Sequence, residues 1–524
     1  MNRKRCLISI LVAWVIISLW VCPGMAREVM LFGKPLTLLG YATQGAAIGL
    51  ATNDYYDTER GLQSALMNLF TEADYKAADT LKFYVSGKLS VDWAYQIKAN
   101  DSSWHDKEFD KSRDRLNFDH NYWQILNEAH LGWFPGNFFF RLGKQVVSWG
   151  ETDGFRLMDQ INPLDSRRGF GDVEFENTII PIWLLRAEYY PRITTKWLQD
   201  LAFEFVFNFN ADHIYNQDIA LGNDVGGIWA PNVRIPDPTA PMGELRVGSS
   251  LDDTKMPSRF NHKGYEFALR LKGVIYDTIV TLNGFYGYDN SPIVKFADPA
   301  NPFPVVTVAS DGKLILHPNF TGKYPRFRFI GATASRDLPF LKFSFLGNVA
   351  PVIRTEAFYA FNNTFSDALT TVYTADWNKF KTFDELRVAL GIDWKVKIPL
   401  LNQRAYFFIS PQVYLRRVDV SGPEDWYDTA QTRVGKYNWI TSLFVSTMYL
   451  NAKLVPSFFW LHDQEYGSDF FRVQATYDWS DNWRFTIGSL FFNAKELDSM
   501  KANNSFDLFT NKSQLFFKVT YKWQ

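Results

Sequence analysis

The sequence predicts an all-β fold, a transmembrane antiparallel β-barrel of about 16–18 strands with short periplasmic turns and long extracellular loops. Three observations lead to this prediction. Apolar and polar residues alternate with a period of two, aromatic residues gather at the ends of the alternating runs, and short connections alternate with long ones. The mean hydropathy of −0.19 agrees with the prediction, because such strands place one inward residue beside each outward apolar one.

The composition excludes several other classes of protein. Of the 524 residues, 46 are Phe, 25 Tyr and 18 Trp, which is too aromatic for an intrinsically disordered chain. The formal net charge of −1 lacks the basic excess of a nucleic-acid-binding protein, so no nucleic-acid partner is expected. Two cysteines cannot build a disulfide-rich scaffold.

Residues 1–26 carry the pattern of a secretory signal peptide that is cleaved, which leaves residues 27–524 as a single barrel domain. Both cysteines, Cys6 and Cys22, lie in this segment, so the mature chain has none for disulfides, thiolate catalysis or covalent haem. The alternatives are a membrane anchor or a lipoprotein. The apolar run from Leu7 to Val21 is shorter than a membrane-spanning helix requires. The pattern consists of basic Arg3, Lys4 and Arg5, apolar Leu7 to Val21, and small Gly24 and Ala26.

The clearest alternation covers residues 384–397, where apolar side chains occupy one face of the predicted strand and charged ones the other. A soluble sandwich also has alternating strands, but its strands are usually about five or six residues long. The longer runs here favour the barrel, and 63–76 is the weakest strand, since a helical 63–76 would reduce the count to 16. The apolar face is Leu386, Val388, Leu390, Ile392, Trp394 and Val396, and the candidate lumen face includes Glu385, Arg387, Asp393 and Lys395. The predicted strands are 35–48, 63–76, 81–98, 121–134, 137–149, 180–191, 200–210, 264–276, 278–290, 325–336, 341–358, 384–398, 403–417, 437–449, 452–463, 469–480, 482–494 and 514–523.

Residues 141–151 read RLGKQVVSWGE, and residues 161–165 read INPLD. This pair of segments resembles a family of outer-membrane barrels known as domain of unknown function 1302. In that family a strand ending in G-R/K-Q-V-V-x-W-G-E/D precedes an I-N-P-x-D loop. The resemblance implies a porin-like channel of the outer membrane with no established substrate, and several relatives are suspected of moving apolar or lipid-like compounds. The matching residues are Gly143, Lys144, Trp149, Gly150, Asn162, Pro163 and Asp165.

The C-terminus, with Tyr521 and Trp523, resembles the signal that outer-membrane proteins present to the barrel assembly machinery, although Gln524 follows the last aromatic residue. Aromatic residues elsewhere, including Trp133, Trp149 and Trp483, are expected to form girdles at the two membrane interfaces.

Faces alternate along a strand, so Arg141 and Gln145 should face the lumen if Leu142 faces lipid. Lys144 then falls on the lipid face, unless Gly143 marks a bulge. The lumen charges have two interpretations. They form a cationic ladder that guides solute, or they pair with acids across the lumen and stiffen the wall, which we favour.

The loop after this strand, roughly 150–179, contains charges of both signs. A loop that folds inward could form a charged constriction, as rings of charged residues do in selective pores. The alternative is an outer loop with Asn-Pro and Asp-Ser turns. The candidate ring opposes Arg156, Arg167 and Arg168 to Asp159, Asp165 and Asp172. The acids of the later loop 211–262 are interpreted as solvated.

The sequence contains no contiguous catalytic or metal-binding motif, so we predict no enzyme, no metal and no cofactor. The predicted function is passage of a small, in some relatives apolar, solute across the bacterial outer membrane. One alternative is a structural sleeve around a multihaem electron-transfer protein, and another is an outer-membrane component of an export system. The expected partners are outer-membrane lipid, the barrel assembly machinery and, under the alternatives, an envelope exporter or a haem protein.

Overall fold

The structure is a computed structural model that describes most of the chain. The predicted signal peptide, residues 1–26, lies outside the described residues. No helix in the described part of the chain is long and apolar enough to cross a bilayer. The described residues are 27–50, 61–97, 116–152, 156–168, 178–212, 214–216, 244–245, 256–302, 304–308, 314–317, 320–367, 376–421, 426–429, 433–493 and 512–523.

Eighteen antiparallel strands form one closed sheet, so the predicted fold class is confirmed. The last strand, β27 (Gln514–Trp523), pairs with the first barrel strand, β2 (Lys34–Gly49), from Gly40↔Trp523 to Gly49↔Gln514. Closure leaves no unpaired sheet edge in the barrel wall, which matters because unpaired backbone groups are costly in hydrocarbon. The barrel strands are β2 (Lys34–Gly49), β4 (Leu66–Ala78), β5 (Leu81–Asp92), β6 (Leu126–Trp133), β7 (Phe138–Gln145), β8 (Ile182–Tyr189), β9 (Leu198–Asn208), β11 (Glu266–Ile275), β12 (Thr278–Tyr288), β17 (Arg326–Asp337), β18 (Val352–Asp367), β19 (Lys381–Val396), β20 (Phe407–Val418), β23 (Tyr437–Ser446), β24 (Leu454–Asp463), β25 (Ser468–Asp478), β26 (Trp483–Asn493) and β27 (Gln514–Trp523).

Short elements extend the barrel at both rims. At the periplasmic rim β1 pairs with the beginning of β2, from Arg27↔Leu38 to Leu31↔Lys34. The remaining strands are β1 (Arg27–Leu31), β3 (Gly61–Ser64), β10 (Glu244–Leu245), β13 (Ile293–Phe296), β14 (Val305–Val308), β15 (Leu314–His317), β16 (Phe320–Lys323), β21 (Trp426–Tyr427) and β22 (Arg433–Val434). The short helices in the described residues are the α-helices Ala94–Ile97 and Tyr122–Ile125 and the 3-10 helices His262–Gly264, Pro339–Leu341, Ser344–Leu346 and Trp377–Lys379.

The strand count is 18, because the doubtful segment 63–76 is extended. Several predicted ends were wrong. The prediction 81–98 stops at Asp92, 121–134 begins with a helix, 137–149 stops at Gln145, and 341–358 begins only at Val352. These differences lie where the chain leaves the pleat and turns inward or across the rim. There alternation persists in the sequence without a neighbouring strand to pair with.

The outward surface is an apolar belt between two aromatic girdles, as expected for a barrel in a bilayer. Large aliphatic side chains are exposed in the middle of the belt, including Leu142, Leu269, Leu282, Ile330 and Ile487. Exposed aromatic residues of the lower girdle include Trp133, Tyr189, Tyr276 and Trp483, and those of the upper girdle include Phe267, Tyr286, Trp439 and Phe491. Trp149 is an exception to the prediction, because it is only 1% exposed and lies inside the barrel.

Candidate functional site

The chain that follows β7 enters the lumen. We call its described residues 146–152 and 156–165 the inward loop. Its apolar side chains Trp149, Leu157, Met158 and Ile161 are buried in one cluster with the lumen wall. Burial of these side chains from water supplies a driving force that holds the loop inside the barrel. The wall side of the cluster is Ile182, Leu184, Val206, Ala268, Phe285, Phe327, Phe329, Phe358, Ala360, Ala389 and Tyr414.

Asn162 joins the two ends of the inward loop. Its Oδ1 accepts a hydrogen bond from the Val147 amide at 2.8 Å. Its Nδ2 donates to the carbonyl oxygens of Gln145 at 3.1 Å and Ile180 at 3.0 Å. One buried amide side chain thereby satisfies three backbone groups, and the asparagine of the family motif acquires a physical role as the staple of the loop.

The tip of the loop is closed by Asp159. Its Oδ1 accepts hydrogen bonds from the amides of Trp149 and Gly150, the latter at 2.9 Å. A Cβ on Gly150 would lie 2.7 Å from Asp159 Oδ2, so a side chain there would collide with the closing carboxylate. The Trp149 indole donates to Glu204 of β9 at 3.2 Å, which anchors the ring to the wall.

Charged residues of β18 clamp the backbone of the loop tip. The Glu356 carboxylate accepts hydrogen bonds from the amides of Glu151 and Thr152, the latter at 2.6 Å, and Glu356 is completely buried. Arg354 donates to the carbonyl oxygen of Glu151 and also to Asp393 at 2.8 Å. The wall therefore binds the loop through its backbone as well as through apolar contacts.

Gly143 and Lys144 prepare the entry to the loop. Gly143 has a φ of +138°, and a Cβ there would lie 2.2 Å from the Ala129 carbonyl oxygen. Lys144 does not face lipid as predicted, because it is fully buried and its Nζ donates to the carbonyl oxygens of Trp123 and Asn127 at 3.1 and 2.8 Å. The pairing of β6 with β7 is continuous, so a bulge is not the reason. The beginning of the predicted strand 121–134 is helical around Trp123, so the helix supplies one of the two acceptors and β6 supplies the other.

The charges proposed for a constriction ring hold the loop to its surroundings. Arg167 is only 1% exposed and lies between Asp165 at 2.8 Å and Asp119 at 2.6 Å. Burial alone would raise the pKa of Asp165, but the adjacent guanidinium outweighs it and holds the pKa below its usual range. Arg156 donates to the Asn162 carbonyl oxygen at 3.3 Å. Arg168 lies 4.0 Å from Asp92, Pro163 accepts the Ile180 amide, and Asp172 lies outside the described residues.

The lumen-facing charges of the wall are mostly arranged in pairs. Arg186 lies within 2.8 Å of Glu188 and 2.9 Å of Glu204. Buried Glu385 contacts Arg387 and also Arg416, the latter at 2.6 Å. The arrangement agrees with the interpretation that these charges stiffen the wall. Of the remaining candidates, Arg141 lies over the Phe139 ring at 5.1 Å, Gln145 donates to the Leu184 carbonyl oxygen at 3.2 Å, and Lys395 is exposed near the periplasmic end.

Sequence reasoning missed the wall residues that receive the loop, namely Glu204, Arg354, Glu356 and Arg270. The Arg270 guanidinium donates to the Trp149 carbonyl oxygen at 3.5 Å. A signal was present for Glu204, because a single acid stands at an inward position of the aromatic run FEFVF in residues 203–207. An isolated carboxylate between outward aromatic residues indicates a specific partner in the lumen.

Asp212, interpreted from the sequence as solvated, is instead buried at the outer rim just beyond β9. Its carboxylate accepts hydrogen bonds from the Tyr122 hydroxyl and from the Trp183 amide, the latter at 2.8 Å. Burial raises its pKa to about 6 and outweighs the hydrogen bond from Trp183.

We expect the segment around Asp212 to open more readily at pH 7.5 than at pH 5. The raised pKa means that ionisation disfavours the folded state. The free-energy cost of ionising Asp212 in the folded state is complete above about pH 6. It decreases in the window between about pH 6 and the ordinary pKa of 3.8. Each pH unit in this window is worth at most about 1.4 kcal/mol. Hydrogen exchange of residues 209–216 in wild type and Asp212→Asn, compared at the same pH, measures the effect. Equal pH dependence in both proteins would contradict the assignment.

The fold and the inward loop define a class: a closed membrane barrel of 18 strands that holds one of its own loops inside the lumen. Residues 50–214 match the model of a family described as "Protein of unknown function (DUF1302)". The resemblance predicted from the motif is thereby confirmed over this segment, which contains the inward loop and its staple. No curated protein matches the sequence significantly.

Several solved structures align with most of this chain at low sequence identity. A BenF-like porin from Pseudomonas fluorescens Pf-5 aligns at 9% identity and a TM-score of 0.46, over 94% of this chain and 100% of that one. OccAB3 of Acinetobacter baumannii aligns at 7% identity and 0.46, over 93% and 99%. OccK2 of Pseudomonas aeruginosa, solved with glucuronate, aligns at 8% identity and 0.46, over 95% and 99%. The likeness is limited to general barrel architecture.

Proposed function

We propose that this protein is a porin-like channel of the bacterial outer membrane and that a small solute crosses it past the inward loop. The observation that carries the proposal is the loop held inside a closed barrel of 18 strands. A barrel of this size encloses an aqueous lumen unless something fills it. The loop occupies one side of that lumen, which would make it the constriction.

The chemical character of the lumen wall favours a polar solute over an apolar one. The large apolar surface of the wall is covered by Trp149, Leu157 and Met158 of the loop. The lumen side elsewhere presents paired charges and hydroxyl groups, for example Thr43 with Thr520 at 2.9 Å across the seam. An apolar solute, as the family resemblance suggests, would need the loop to leave the wall, since only then would the aromatic surface be accessible.

The loop also bears on the alternative of a sleeve around a multihaem protein. A partner of that kind needs the full width of the lumen, and the inward loop occupies part of it, with its backbone bound to Glu356 and Arg354 of the wall. The channel is therefore the function that the geometry supports best.

We expect purified wild-type protein to swell liposomes in small neutral sugars and amino acids, with rates that fall steeply with solute size. A narrow constriction excludes solutes that a lumen of this width would otherwise admit. Liposome swelling with a graded series of solutes measures this, with heat-denatured protein as the control. Folded protein that passes no solute and shows no conductance in planar bilayers would contradict the channel.

A further inference from the structure

Three neighbouring periplasmic turns form a surface of unusual composition. We call it the basic platform, and it consists of residues 338–351 between β17 and β18, 397–406 between β19 and β20, and 447–453 between β23 and β24. Its apolar side chains are strongly exposed: Leu400 is 93% exposed, Phe340 76% and Phe345 74%. Exposed apolar side chains that gather in one patch usually mark an interaction surface.

Hydrogen bonds join the three turns into one unit. The Lys397 amide donates to the Leu346 carbonyl oxygen at 2.8 Å, which ties the first turn to the second. The buried Asn402 side chain donates to Thr447 Oγ1 at 3.0 Å and to the Met448 carbonyl oxygen at 2.9 Å, which ties the second turn to the third. The apolar side chains are therefore displayed by a preformed surface, and their exposure is built into the fold.

The charges of the platform have one sign. Its basic residues are Lys342, Lys397, Arg404 and Lys453, and the three segments contain no Asp or Glu. Asp337 closes β17 immediately before the first turn. The turn between β4 and β5 is different, because Lys76 there is paired with Asp79 at 3.0 Å. A basic and apolar surface is complementary to an anionic amphiphile.

The platform continues the lipid-facing surface of the barrel. Phe343 lies 6.2 Å from Trp394, centroid to centroid, and Trp394 belongs to the outward face of β19. The Trp394 indole donates to the Val349 carbonyl oxygen at 3.2 Å, which fixes the turn beneath that face. Aromatic residues with nearby Lys and Arg are typical of the membrane–water interface, where long basic side chains reach the phosphate groups.

We propose that the basic platform binds anionic phospholipid of the periplasmic leaflet, with Phe340, Phe345 and Leu400 among the acyl chains. The ammonium and guanidinium groups of Lys342, Arg404 and Lys453 contact the phosphates. Continuity with the lipid belt favours a lipid over a soluble protein as the occupant. The platform gives one side of the rim an affinity that the paired turn at Lys76 lacks.

Native mass spectrometry of the detergent-purified barrel, titrated with phosphatidylglycerol or phosphatidylcholine, tests the proposal. We expect wild type to retain phosphatidylglycerol preferentially. The triple variant Lys342→Gln, Arg404→Gln, Lys453→Gln should lose at least about tenfold in that affinity, because each base near an anionic surface contributes. The control Lys76→Gln should bind as wild type does. Equal affinity of wild type for both lipids, or equal losses in the triple variant and the control, would overturn the proposal.

A photo-crosslinking residue at Leu400 identifies the occupant in intact outer membranes without requiring the triple variant to fold. An adduct with the mass of a phospholipid supports the proposal. A crosslink to a periplasmic protein in place of lipid would overturn it and assign the platform to a protein partner.

Discussion

Replacing residues 149–160 by Gly-Ser-Gly is expected to increase the single-channel conductance several-fold. Asn162 already brings the two ends of the excursion together through its hydrogen bond to the Val147 amide, so a short linker can bridge the gap without straining β7 or β8. Removal of the loop tip empties the side of the lumen that Trp149, Leu157 and Met158 now fill. Planar-bilayer recording of the purified variant measures the change.

The same variant should also admit larger solutes in liposome swelling, because the exclusion limit follows the narrowest point. A matched control is the pair Arg417→Gln, Asp419→Asn. It removes an exposed ion pair at the outer end of β20 and should leave conductance unchanged. A folded loop variant with wild-type conductance would place the constriction elsewhere and remove the loop from the proposed function.

Replacing Glu356 by Ala is expected to make the single-channel current switch between two conductance levels. The higher level, in which the loop has left the wall, should be populated at least about tenfold more than in wild type. The alanine leaves the amides of Glu151 and Thr152 without their buried acceptor. An unsatisfied buried donor costs about 1–3 kcal/mol. Since 1.4 kcal/mol corresponds to a factor of about ten, the cost moves the loop away from the wall in a measurable fraction of channels. Dwell-time analysis of single channels measures that fraction.

Glu356→Gln is the informative comparison for this prediction. The glutamine keeps a carbonyl oxygen that can accept from the same amides, so its gating should lie close to that of wild type. If the glutamine variant gates as the alanine variant does, the negative charge matters more than the acceptor. If neither variant changes the gating, the clamp on the loop tip is not what holds the loop.

The fold could be predicted because the pleat of a β-strand produces an alternating pattern of residue types in the sequence. In β19 the alternation of Leu386, Val388 and Leu390 with Glu385 and Arg387 follows directly from side chains pointing to opposite faces. Lipid on one side and water on the other makes that alternation chemical as well as geometric. The segment 63–76 looked ambiguous because the aromatic Phe70 lies among the polar residues of the inward face, whereas Thr71 and Ala73 make the outward face only weakly apolar.

The site could be located but not assembled from the sequence. The motif around Asn162 indicated a special loop, whereas its contacts depend on residues far along the chain, such as Glu356, which is 205 positions from Glu151. Alternation states which face Glu356 occupies and nothing about what enters the lumen opposite it. Lys144 illustrates the same limit, because its burial depends on the helical turn around Trp123.

The seam of the barrel has a consequence for how the molecule is assembled. Thr43 and Thr520 are in contact across the seam although 477 positions separate them. One edge of β2 therefore stays unpaired until nearly the whole polypeptide has been made. An unpaired strand edge can pair with strands of other chains, and closing a loop of this length is slow. The hairpin of β1 and β2 forms locally and occupies residues 34–38 of that edge from the beginning. β27 then pairs with the remaining residues 40–49 of β2, directly above β1. The β1–β2 hairpin thereby sets the register in which the barrel closes.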